Sequence, residues 1–556
     1  MSERARVTVT DPPGEVRARS QRIKQLTLIA CIMGSGIALL DGSVVNVALP
    51  SIQRALGGGL AGQQWVSNAY LLTLGSLILV GGSLGDLFGE RRVFALGVAG
   101  FGAASLLCAI APSIGFLIAA RALQGVAGAL LVPSSLAVIV ATFPEQERGP
   151  AIGTWTAFGA IAAIIGPLGG GALLAVVSWR WLFLINVPFV IACVTLILAV
   201  IPRAKPSPGG HRVDVVGALL CALGLGGPVF ALIEQPRLGW ASAGVMVPLI
   251  AGVLLLGAFV VYEGRTSQPM LPLSLFARRN FAIGNLETFT IYAGLSTLFF
   301  FLVLFLQEVA GYSPLKSGLA TLPTTLVMFV LSRRFGGLAD RFGPRLFMGL
   351  GPLIAGAGLL LLLRVGVHVS YLIDVVPALL VFSIGLSMTV APLTAAVLAG
   401  VEERQAGIAS GVNNAIARVA GLLGIAAVGA LVAERFDSAL RSHLAGVTLS
   451  APARAAVTQA TRLVLGRPSV AGLPVHQAAL VLNAANSASL ESFRVGIGIA
   501  AGLVLLGGLI GLVGIQNPQR VVRAEECAGG QLVGASPDAA GCHEGEGVAA
   551  LEHASA

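Results

Sequence analysis

Charge is what this sequence has least of. Asp, Glu, Lys and Arg make up only 11% of its 556 residues, against 56% hydrophobic residues. A soluble chain of this size carries about 25% charged residues to cover its surface, so a soluble globular fold is excluded. Lysine is scarcer still. Lys24, Lys205 and Lys316 are the only three, and none closes a Gly-rich phosphate loop, which removes an ATP-driven pump of that type. The six cysteines, Cys31, Cys108, Cys193, Cys221, Cys527 and Cys542, show no metal-ligand spacing. No His-rich cluster is present either, so no metal, no cofactor and no enzyme activity are expected. The apolar runs also lack alternation, and continuous runs exclude a membrane β-barrel.

What the chain does have is length in those runs. The mean hydropathy is +0.87, and about fourteen stretches reach the roughly 20 residues that cross a bilayer. They fall near 26–49, 63–83, 93–112, 115–141, 151–177, 181–201, 213–233 and 242–262, then 282–309, 316–337, 344–364, 371–398, 406–432 and 493–515. The net charge of +9 does not point to nucleic acid, because the basic residues fall in alternate connections. Arg17, Arg19, Arg22 and Lys24 precede the first span, and Arg91, Arg92, Arg148, Arg203, Arg212, Arg278, Arg341 and Arg404 follow on the same side by parity. That bias places both termini in the cytoplasm of a multi-pass cell-membrane protein. The N-terminal arm leads into a full-length span, unlike a cleavable signal peptide.

One stretch occurs twice. Gly82-Ser83-Leu84-Gly85-Asp86-Leu87-Phe88-Gly89-Glu90-Arg91-Arg92 is repeated as Gly336-Gly337-Leu338-Ala339-Asp340-Arg341-Phe342-Gly343-Pro344-Arg345. Small residues before each Asp permit close helix approach, and the Gly after it permits a tight turn. The Asp and Arg residues read as a charge latch at the membrane surface. The copies are 254 residues apart (Asp86 to Asp340), whereas six spans need only about 200 residues. The surplus fits two inserted spans, which also keep both loops on one side. The expected fold is an all-α membrane protein of six plus two plus six helices. It has an arm at 1–25, a first bundle at 26–202 and an inserted pair at 203–265. The second bundle at 266–515 carries a long extracellular loop at 433–492, and a disordered cytoplasmic tail at 516–556 follows.

Membrane-embedded charge carries the chemistry. Asp41 precedes Pro50 by nine residues and Arg121 follows Ser113 by eight, which puts both about 12–14 Å below the same surface by helix rise. Equal depth allows them to pair. A carboxylate there costs about 2.5–3.5 kcal/mol on insertion scales, so it serves either as a proton site or as half of a structural ion pair. Glu287 and Arg418 fall about 9 Å and about 20 Å from the inner surface, too far apart in depth for direct pairing. Glu287 reads as a second proton site, a contact for a cationic substrate or a member of an interhelical hydrogen bond. Arg418 reads as a cavity residue or as structural support beside Gly421 and Gly424. Gly159, Gly166 and Gly170 with Pro167 form a small-residue helix seam with a bend. Asn46, Trp65, Asn68, Tyr70, Gln124, Trp155, Phe158, Asn413 and Asn414 are candidates to line a substrate cavity.

The duplicated loop resembles that between helices 2 and 3 of the major facilitator superfamily. The Asp41–Pro50 stretch, Arg121 with Gln124-Gly125, and Gly166-Pro167 are similar to motifs of its fourteen-helix drug:proton antiporters. In that family the Gly-Pro run in helix 5 marks exporters. Two departures are Ser43, where Thr is commoner, and Glu90, where a basic or neutral residue is usual. The resemblance covers about residues 25–432 and the last helix. It implies alternating-access export of amphipathic, drug-like or antibiotic-like small molecules, cationic ones among them, driven by the proton gradient. A dedicated exporter or symporter of one metabolite is the alternative. The expected partners are the substrate, protons and the lipid bilayer, with the protein working as a monomer.

Overall fold

A chain whose apolar runs enter a bilayer must satisfy its backbone internally, and the helix does so within each run. The computed structural model describes residues 13–202, 213–398, 401 and 405–517. These residues form helices joined by short connections, with no strand among them. The first bundle comprises α1 (Pro13–Leu56), α2 (Gly59–Phe88), α3 (Glu90–Ala109), α4 (Ile114–Thr142), α5 (Glu145–Val176) and a sixth span broken at Ile185 into α6 (Trp181–Leu184) and α7 (Asn186–Val200). The inserted hairpin is α8 (Val215–Leu238) and α9 (Ala243–Glu263). The second bundle follows with α10 (Arg279–Glu308), α11 (Pro314–Phe342), α12 (Pro344–Leu361), α13 (Val376–Leu398), α14 (Ala406–His443), the short α15 (Ala451–Arg462) and α16 (Val475–Gly514).

Thirteen described helices are long and apolar enough to cross a membrane, the sixth span counting once. With 32 residues, α5 is long enough as well, and its second half, Ile165–Val176, is apolar. Fourteen crossings therefore stand, in the expected six-two-six order. Residues 433–492 are largely helical. The alanine-rich composition that marks the connection also favours helix: α14 runs on to His443, α15 intervenes, and α16 begins at Val475. Likewise the arm is helical from Pro13. The expectations placed on 516–556 fall almost wholly outside the described residues, as do those on Arg203, Lys205, Arg212 and Arg404.

The duplicated loops lie on one face of the bundle, the face on which α1 begins. Gly89 turns α2 into α3 with φ 86°, and Gly343 turns α11 into α12 with φ 84°. Only glycine occupies that backbone region without steric cost. On the opposite face the two halves are joined. Gln307 of α10 donates to the Val47 carbonyl of α1 at 2.9 Å, and Gln64 of α2 donates to the Ile425 carbonyl of α14 at 2.7 Å. There α5 also meets α11, where Gly171 lies against Leu315 and Gly318 against the Pro167 carbonyl. One apolar core spans both halves at this level, including Leu49, Phe183, Phe301 and Phe305, with Phe305 stacked on Phe493. The inserted hairpin docks through α8 on both α2 and α14, where Val229 and Ile233 pack with Leu422 and Ala426.

Candidate functional site

Asp41 and Arg121 meet as their depths require. Both are buried, at 0% and 1% exposure, and Arg121 Nη1 donates to Asp41 Oδ2. Two buried charges are tolerated only when their remaining valences are met, and here they are. Arg121 Nη1 also donates to Gln124 Oε1 at 2.6 Å, and its Nε donates to the Val66 carbonyl at 3.1 Å. The other carboxylate oxygen, Oδ1, accepts from Gln124 Nε2 at 3.0 Å and from Asn186 Nδ2 at 3.3 Å. Ser105 Oγ accepts from both of those amides, at 3.0 and 3.3 Å. Above this layer the guanidinium lies 4.4 Å from the Tyr70 ring centroid, a cation–π contact that favours the charged side chain. The network draws on α1, α2, α3, α4 and α7. Moving one of those helices must break part of it.

Two cavity candidates are therefore network members instead. Gln124 is fully buried between Asp41 and Arg121, and Tyr70 packs on Arg121 while donating to the Ala38 carbonyl at 3.3 Å. Asn186, Ser105 and Cys108, whose thiol lies 3.6 Å from Gln124 Oε1, are members that sequence reasoning missed. Asn186 and Ser105 were visible only as isolated polar residues in apolar runs.

The helix-5 seam lies directly against the helix that bears Asp41. A side chain at Gly166 would overlap Ser43 and come within 3.1 Å of the Leu40 carbonyl, one at Gly170 would meet Val44, and one at Gly159 would come within 3.0 Å of Leu39. Pro167 sits inside α5 without ending it.

Glu287 is 0% exposed, and neither of its carboxylate oxygens has a hydrogen-bond partner. That overturns the interhelical hydrogen bond as its role. The bond across this seam is made by its neighbours, since Asn413 Nδ2 donates to Asn285 Oδ1 at 3.0 Å and to Thr288 Oγ1 at 2.8 Å. Asn414 is exposed and donates to its own helix at Ser410. Arg418 is half-buried, its Cβ facing Gly75 of α2. Among the remaining candidates, Asn46 Oδ1 accepts from Ser67 at 3.4 Å, and Trp65 Nε1 donates to Glu234 of α8 at 3.2 Å. Asn68 is fully buried with both side-chain polar atoms unpartnered, so it does not face an open cavity. Trp155 is half-buried and Phe158 is 49% exposed.

The latch residues do something the sequence did not announce. Arg91 Nη2 donates to the Leu198 carbonyl of α7 at 2.6 Å, and Arg345 Nε donates to the Leu512 carbonyl of α16 at 2.7 Å. Each caps the last turn of the final span in its own half, where free carbonyls attract a cation. Arg92 and Asp340 are exposed, and the side chain of Asp86 lies outside the described residues. Close approach to α4 is made not at Gly82, where the space is ordinary, but at Gly81, which lies against the Ala129 carbonyl.

Two repeated helical halves closed at one face, with a buried ion pair inside the first, define a polytopic membrane transporter. The chain matches the Major Facilitator Superfamily over residues 31–425, and it belongs to that family. It is 38% identical over 408 residues to the puromycin resistance protein pur8 of Streptomyces alboniger, covering 72% of this chain and 80% of the relative. It is 31% identical over 496 residues to the tetracenomycin C resistance and export protein of Streptomyces glaucescens, covering 87% and 90%. A bacterial homolog of the human lysosomal transporter Spinster shares the fold, with a TM-score of 0.61 at 16% identity over 89% of this chain and 99% of that one.

Proposed function

We propose that this transporter exports amphipathic, antibiotic-like small molecules across the cell membrane in exchange for protons, with its termini cytoplasmic. The observation that carries this reading is the buried Asp41–Arg121 pair, braced by Gln124 of the same helix as Arg121 and by Asn186 of α7. Protonating Asp41 removes the negative charge opposite Arg121 and turns one of its two acceptor oxygens into a donor, so the proton acts on the packing of α1 against α4 and α7. A ligand shifts a two-state equilibrium only through different affinities for the states, and a proton bound here has that property. The named activities of the relatives, resistance and export, support the direction of transport. The two halves are joined on the face opposite the arm through Gln307 and Gln64. Glu287 is the second proton site in this reading.

The test is everted membrane vesicles energised by an inside-acid gradient and offered a panel of dyes and antibiotics. Uptake that collapses with the gradient supports the reading, and uptake indifferent to it refutes proton exchange. Relatives named for one compound favour a dedicated exporter as the second reading. Resistance to several unrelated compounds in a sensitive host would exclude it.

A further inference from the structure

Of the four charged site candidates, three are used up or closed off. Asp41 and Arg121 satisfy each other, and Glu287 is 0% exposed. Arg418 is different. It stands twelve residues into α14, about 18 Å along the helix from Ala406. It is half-buried, and it has neither a hydrogen-bond nor an ion-pair partner among the described residues.

Its backbone lies against the first half. The Arg418 Cβ would lie 3.2 Å from a Cβ built at Gly75 of α2, so the backbone contact with the first half is made beneath the side chain. An arginine keeps its charge under all ordinary conditions. An intramembrane cation without a partner marks a substrate or ion path. The charge open to a guest at this depth is therefore positive.

We propose that Arg418 binds the anionic group of the transported compound, so that the preferred substrates are amphipathic acids, carboxylates or ionised phenols borne on an apolar ring system. The apolar part lies between the halves. This assignment rests on the exporter reading and narrows its substrate class.

Fluorescein and rhodamine 6G test it, because they share a xanthene ring system and carry opposite charge. Binding of each dye to the purified full chain in lipid nanodiscs is read by fluorescence polarisation. Arg418→Gln should weaken fluorescein about tenfold or more, the loss expected for one charge-assisted hydrogen bond. Rhodamine 6G should bind as well or better, which also reports that the variant is folded. Arg418→Lys should recover part of the fluorescein affinity, since it restores charge without the planar fork. Fluorescein binding that survives Arg418→Gln, equal weakening of both dyes, or no fluorescein binding by the unmodified protein would each overturn the proposal. Gradient-driven export of rhodamine 6G without fluorescein binding removes this inference and leaves the exporter reading standing. Arg418-dependent fluorescein binding without any transport does the reverse.

Discussion

Gly166 of α5 lies so close to Ser43 of α1 that one added methyl group would overlap the serine hydroxyl. Ser43 is two residues from Asp41, and its hydroxyl already donates to the Leu40 carbonyl at 2.9 Å. The glycine seam therefore fixes how far α1 stands from α5, and with it where the buried carboxylate sits.

The first expected outcome follows from that contact. Gly166→Ala should overpack the seam at a cost of about 1–3 kcal/mol and reduce export, while Ser43→Gly in the same chain should restore much of both. Thermal unfolding and vesicle transport of the single and double variants measure this. Equal loss in the double variant would place the need for Gly166 in backbone freedom rather than in space.

Asp41→Asn should leave a folded, inserted protein that no longer exports against a gradient. Arg121→Ala should be the worse variant, since it strands a buried carboxylate and costs about 3–5 kcal/mol. Arg121→Lys should keep part of the export, because charge survives although the guanidinium geometry is lost. Normal gradient-driven export by Asp41→Asn would make the pair purely structural.

Glu287→Gln removes no hydrogen bond, because neither oxygen makes one. Its unfolding temperature should stay near that of the parent, while gradient-driven export falls. Export at the parent rate would assign the residue to packing against Gly511 of α16, which it abuts.

Arg91→Ala and Arg345→Ala should each loosen one half only. The contacts are partly exposed, so each should contribute no more than about 1 kcal/mol. Hydrogen exchange should quicken in the last turn of α7 for the first variant and in the last turn of α16 for the second. Loosening of both turns in either variant would show that the halves do not brace themselves separately.

At the base of the inserted hairpin, Asp214 Oδ2 and Glu263 Oε1 lie 2.5 and 2.6 Å from one point above Gly217, facing each other with no donor from another residue among those described. Asp214→Asn keeps the cap on α8, where Asn serves as well as Asp, and supplies an amide donor. It should raise the unfolding temperature, and a fall would mean that the acid is held by something else.

The repeat was legible because turn and cap chemistry depend on local residue type. A glycine at positive φ and an arginine beside a helix end read alike in both copies. The Asp41–Arg121 pair was legible because helix rise converts sequence number into depth. Rotation is harder to read: one residue turns a helix by about 100°, so the sequence could not tell Gly81 from Gly82 as the contact with α4. Asn186 and Ser105 stayed hidden because polar residues in spans commonly bond to their own helix, as Ser35 does to the Cys31 carbonyl. Residues 433–443 were placed in a loop because they are too polar to cross a membrane, although that does not stop a helix from continuing beyond it.

Two flanks run between the halves of this bundle, one along α2 and α14 and one along α5 and α11. The first is covered, because α8 packs on both helices. The second carries no added helix among the described residues. Below the Gly171–Leu315 contact its helices leave Phe158, Ile165, Leu326 and Phe329 exposed. A compound dissolved in the leaflet on the arm side is thus expected to find a single doorway, on the flank opposite the inserted hairpin. The two extra helices would then make entry from the lipid one-sided in a molecule whose halves are otherwise paired.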